Sequence, residues 1–125
     1  MTKEKQQEAI LKLSGWKVEP DTTGVSVFLI TEPDGSFYYS RHADNVPDFL
    51  NNRDDVADVL EHLKNSTEYS HFQVDYVNNL RMVVERDLLK NKPYRAGVHW
   101  FEVLCATAEQ QCEAILWATG KYTNE

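Results

Sequence analysis

The feature that most constrains this chain is a helix written twice. Residues 2–15 read TKEKQQEAILKLSG and residues 107–120 read TAEQQCEAILWATG; at a constant offset of 105, eight of the fourteen positions are identical. Both copies open on a threonine suited to cap a helix N-terminus, and both stop on a glycine suited to the left-handed residue after a helix. The shared interior, Glu-Ala-Ile-Leu, supplies an apolar stripe. Any fold must therefore place two near-equivalent helices, one at each end of the chain. Thr107 and Gln110 also match a capping box.

Between these ends the patterns alternate. Residues 25–30 (VSVFLI) read as a strand apolar on both faces, hence a central one. Glu32-Pro33-Asp34-Gly35 is a turn, and residues 36–41 (SFYYSR) return as the second strand of a hairpin. Residues 42–52 form a loop in which Phe49 and Leu50 precede a helix capped by Asn52 or Asp54. That helix carries Val56, Val59, Leu60 and Leu63 at i, i+3, i+4, i+7 spacing. Another helix is expected from near Tyr69, with an open end, since residues 80–90 suit helix or strand. Residues 91–97 are punctuated by Pro93 and Gly97. Residues 98–105 (VHWFEVLC) read as the last strand. The order predicts a single α+β domain over residues 1–125. It has a small, mainly antiparallel sheet covered by helices on both faces, an α–β–α sandwich, with the repeated helices on one face and the central helices on the other.

Three segments carry a resemblance: QQEAILKLSGWK at 6–17, VPDFLNN at 46–52 and ATAEQQCEAILWATGKY at 106–122. Together they resemble the phage ABA sandwich domain family of small phage and prophage proteins. Phe49 stands where that family usually has Tyr, Tyr122 where it usually has Trp, and residues 86–97 look like an insertion. The resemblance implies a phage or prophage origin and an α–β–α sandwich. It implies no activity and supplies no catalytic residues.

Chemistry is sparse. The chain carries a net charge of −7, with two basic and eight acidic groups over residues 42–75. This balance argues against nucleic-acid binding, which needs a basic footprint. No apolar run reaches membrane-spanning length, and the N-terminus lacks the apolar stretch of a signal peptide, so the expected compartment is the cytoplasm, that of the host cell if the chain is phage-encoded. His42, His62, His71 and His99 lack metal-ligand spacing, and Cys105 and Cys112 form no CxxC pair. The two thiols read as buried packing groups at a strand–helix junction. Phosphate-cradling glycine motifs are absent. No cofactor, metal or catalytic residue is expected.

What remains is surface. Asp54, Asp55, Asp58 and Glu61 line the outer face of the second helix, as a solvated face or a partner surface. Trp117 replaces the Lys12 of the first copy and is a candidate exposed anchor. Arg81, Arg86, Lys90, Lys92 and Arg95 form a basic stretch that could grip phosphate, an acidic partner or the acidic helix of a second copy. The resulting expectation is a non-enzymatic phage accessory protein that binds a host or defence macromolecule through the acidic helix and the inserted loop. The alternative is a small-molecule or nucleotide-sequestering protein with a site at a homodimer interface.

Overall fold

The computed structural model describes residues 1–20, 27–41, 46–91 and 99–124. Along the chain run α1 (Lys3–Leu13), β1 (Lys17–Pro20), β2 (Phe28–Thr31), β3 (Phe37–Ser40), α2 (Arg53–Lys64), α3 (Phe72–Asn91), α4 (Trp100–Leu104) and α5 (Ala108–Ala118). The three strands form one antiparallel sheet in the order β1-β2-β3. The class is α+β with an antiparallel sheet, as the patterning predicts. β2 is the central strand; its Ile30 is fully buried and is opposed by Val18 and Tyr38. Residues 25 and 26 of the expected strand lie outside the described residues.

The repeat is realised almost identically at both ends. α1 and α5 are each eleven residues long, and their caps Thr2 and Thr107 share a φ of −72° with ψ of 161° and 162°. The Thr2 hydroxyl accepts from the Lys5 N–H and that of Thr107 from the Gln110 N–H. Gln110 Oε1 accepts from the Thr107 N–H at 3.0 Å, completing the expected capping box. Gly15 and Gly120 take φ of +89° and +73°, a region that a side chain disfavours. Ile10 and Ile115, at equivalent positions, are both fully buried.

Three features depart from the expectation. First, the repeated helices do not form a pair separated from the central ones. α5 packs against α1, α2 and α3 together, with Ala108, Cys112, Glu113, Ala114, Ile115 and Leu116 all buried. Its mean composition is more apolar than that of α1, so it can take neighbours on more than one side. Second, residues 100–104 are helix, not the last strand. The Glu102 carboxylate accepts from the His99 N–H at 3.0 Å, a local cap that a strand would not offer, and Val103 alone turns inward against Leu80, Val84, Ala106 and Ala114. Third, β1 is a strand in a segment whose sequence, KVEP, shows no clear alternation. It forms because the turn at Gly15 sends the chain back alongside β2. The ambiguous residues 80–90 are helical throughout, within α3. That helix starts at Phe72, three residues after the expected Tyr69.

The main core joins Ile10, Phe49, Val56, Val59, Leu63, Phe72, Cys112, Ile115 and Leu116. Of the two cysteines expected to be buried, only Cys112 is; Cys105 is exposed because the segment that carries it ends a surface helix.

Candidate interaction surface

The site is built outward from Phe49, which is 1% exposed. Gln7 of α1 reaches across to the loop that carries it: its Nε2 donates to the Pro47 carbonyl at 2.7 Å and its Oε1 accepts from the Phe49 N–H at 3.1 Å. From the other side, the Cys112 thiol donates to the Phe49 carbonyl at 3.4 Å. Gln7 and Cys112 occupy the same position of the two helix copies. One repeat position, diverged in chemistry, thus grips both flanks of one residue. The next residues carry the constraint onward. Asn51 Nδ2 donates to the Asp48 carboxylate at 2.9 Å, and the Asn52 side chain accepts from the Asp54 and Asp55 N–H groups, capping α2. Arg53, the first residue of α2, donates to the Leu104 carbonyl at 3.0 Å. The clamp on Phe49 therefore fixes the start of α2, and α2 fixes the end of α4.

α4 presents the largest concentration of exposed apolar side chains among the described residues. Trp100, Phe101 and Leu104 are 66%, 73% and 70% exposed. At 3.6 residues per turn these three fall within an arc of about 100°, with buried Val103 flanking its Trp100 edge. Monomeric proteins rarely leave such a contiguous apolar set in water without a role for it. The Arg53–Leu104 bond sets this face next to Asp54 at the start of the acidic helix.

Of the acidic residues singled out in the sequence, Asp54, Asp58 and Glu61 are exposed and Asp55 is half-buried. Asp55 and Asp58 also face the β2–β3 turn across a depression shared with His62 and Pro33. Trp117 is 42% exposed, but Tyr122 stacks on its ring at 4.3 Å and its indole N–H donates to Glu113 at 3.3 Å. It is a packed rim residue, unlike its counterpart Lys12, which makes a solvent-exposed pair with Glu8 at 3.4 Å.

The basic stretch does not form a single patch. Arg86 makes a two-pronged ion pair with buried Glu113, at 2.6 and 3.0 Å, and also meets Asp87 at 3.0 Å. Lys90 lies 3.5 Å from Asp87. Arg81 is exposed, and Lys92 and Arg95 lie outside the described residues. The hydrogen bond to Glu113, opposed by burial and helped by Asp87, raises the guanidinium pKa further. Burial works to raise the Asp87 pKa, but hydrogen bonds from Gln110 and Arg86 and the nearby cations win and hold it low. Arg86 thus locks α3 to α5, whereas the Lys90–Asp87 pair lies within α3.

His62, His71 and His99 are all exposed, and His42 lies outside the described residues. Among the described residues no three metal-ligating side chains gather, and no helix is long and apolar enough to cross a membrane. No family model, curated protein or solved structure matches the chain.

The buried thiol yields a pH prediction. Burial, followed by the charges of Glu109 and Asp48, pushes the Cys112 pKa from 9.0 up to about 12. Burial likewise lifts the Tyr76 phenol from 10.0 to about 12. Both groups hold their protons longer when folded than when unfolded. Their contribution is intact below pH 9, and is lost as pH rises from there through about 12. Thermal melts should show stability falling over that window, and Cys112→Ala should flatten the fall. An identical alkaline slope in the variant would remove Cys112 as its source.

The exposed face of α4 escaped the sequence reading because residues 98–105 look like strand. In that reading Trp100 and Leu104 share a sheet face and the rest alternates. The missed signal was His99-x-x-Glu102, a helix-start spacing, followed by an i, i+4 apolar pair.

Proposed function

We propose that this chain is a non-enzymatic accessory protein that acts by binding a macromolecular partner, and that the apolar face of α4 with the neighbouring acidic start of α2 is its contact surface. The observation that carries the reading is the outward display of Trp100, Phe101 and Leu104 on a helix held by buried Val103 and by the Arg53–Leu104 hydrogen bond. Aromatic side chains of this kind, bordered by charge, are typical binding anchors. The acidic residues of α2 would select a basic partner surface and speed its approach. The resemblance of residues 6–17, 46–52 and 106–122 to phage ABA sandwich proteins supports a phage or prophage origin, and hence a host or defence protein as partner.

The nucleotide-sequestering alternative loses its main support because Arg86 and Lys90 are engaged by Glu113 and Asp87. The test is capture from a host-cell lysate with the wild type and with Trp100→Ser/Phe101→Ser. Both side chains are solvent-exposed, so the double variant should keep its melting temperature, with about 0.5 kcal/mol or less of change per site. The reading requires a captured protein that the double variant loses. Equal capture by both, or a large thermal stabilisation by a nucleotide, would contradict it.

A further inference from the structure

A second surface lies apart from α4, in a groove of about 810 Å³ between α1, β1 and residues 46–48. Its most telling feature is that Lys17, Val18 and Glu19, three consecutive strand residues, all line it. Side chains alternate between the faces of a strand, so a cavity touching three in a row runs along the strand's edge. Among the described residues β1 pairs on one side only, with β2. The groove floor is apolar, from Leu11, Trp16 and Val18, and its far wall includes Pro47. Gln7 holds that wall at 2.7 Å, so the groove is built and not collapsible without breaking the clamp on Phe49. Its rim is acidic: Glu4, Glu8, Glu19 and Asp48 stand against Lys12 and Lys17, and Lys12 is already paired with Glu8 at 3.4 Å.

We infer that this groove takes an extended basic peptide segment, which adds to the sheet along the outer edge of β1. Backbone N–H and C=O groups of the peptide would pair with β1, alternate apolar side chains would enter the floor between β1 and α1, and lysine or arginine side chains would meet Glu4, Glu19 and Asp48. Strand addition of this kind draws affinity from the main chain and selectivity from the alternating side chains. The acidic rim decides the sign of charge that the segment carries. Lys17 and Pro20 are the residues a chain uses to discourage unwanted edge pairing, and they confine pairing here to a short stretch. The inference goes beyond the α4 reading and is independent of it.

The probe is a capped pentapeptide of alternating lysine and valine, titrated into the full-length ¹⁵N-labelled protein and followed by NMR. The expected result is saturable shifts at the Lys17, Val18 and Glu19 amides and at the Trp16 indole. Affinity should fall about tenfold in Glu4→Lys/Glu19→Lys, whose spectrum also reports whether it is folded. A peptide N-methylated at its valines, unable to pair along the edge, should bind at least as weakly. Absence of shifts at β1, shifts centred elsewhere, or equal binding by a glutamate–valine peptide or by the N-methylated one would overturn the inference. Any of these would leave the α4 double variant's loss of capture unaffected.

Discussion

Phe49→Ala should cost about 3–5 kcal/mol, the largest effect expected of any single substitution in this protein. The side chain is 1% exposed and packs in the core shared by α1, α2, α3 and α5. Its loss removes the transfer free energy of an aromatic ring and leaves a cavity. The walls cannot close over that cavity, because Gln7 and Cys112 hold the backbone on either side. A chain of this size would lose roughly 10–20 °C in melting temperature. The damage should also spread along the chain. Asn52 caps α2 three residues later, and Arg53 ties α2 to α4. Denaturant unfolding measures the first effect. The second would appear as weakened capture through α4 at temperatures where the variant is still folded. Phe49→Tyr, which keeps the ring, should instead be the mildest aromatic replacement. It still adds a hydroxyl that needs a partner in a buried site.

The second large effect is expected at Arg86. Glu113 is buried at the position where the first helix copy carries exposed Glu8. Its two short bonds from the guanidinium make that burial tolerable. Removing one partner of a buried ion pair typically costs about 3–5 kcal/mol, since the other charge stays behind without compensation. Arg86 is itself 47% exposed, so water can replace part of the loss, and Arg86→Met should cost about 2 kcal/mol. Arg86→Met/Glu113→Met removes the stranded carboxylate and should recover most of that cost. Chemical denaturation of the two singles and the double closes the cycle. If the double is as unstable as the sum of the singles, the two residues do not act as a pair. Asp87, held low by Gln110 and the same arginine, adds an acid-side signature. Its stabilising contribution is present above the ordinary carboxylate range and is lost as pH falls through its lowered value.

How much of this was legible in the sequence differs by element. The repeated helices, their caps and their glycine stops could be read residue by residue, because capping is local chemistry. So could the hairpin turn at Gly35 and the stripe of α2. The role of Glu113 could not. Glu8 and Glu113 are the same letter at the same repeat position, and only the approach of Arg86 from α3 separates a solvated carboxylate from a buried one. Position 7/112 shows the same limit. The divergence from glutamine to cysteine was visible, but the residue that both contact lies 42 positions from one and 63 from the other. α4 was misread for a different reason. Five apolar and aromatic residues in a short run fit either period, and the choice was made by the Glu102 cap and by Val103 entering the core.

These observations give the repeat its meaning. The helix is duplicated to make scaffold, and its diverged positions do the positioning. Gln7 and Cys112 fix Phe49, the loop behind Phe49 fixes α2, and α2 holds α4 with its apolar face outward. Hydrogen exchange at the Phe49 amide tests this most directly, since that proton is donated to the Gln7 side chain and not to a helix or strand carbonyl. The account predicts that in the wild type this loop amide is protected as strongly as the amides of α5. In Gln7→Ala it should exchange freely while α5 stays protected. A Phe49 amide that exchanges in the wild type like an exposed loop residue would contradict the account.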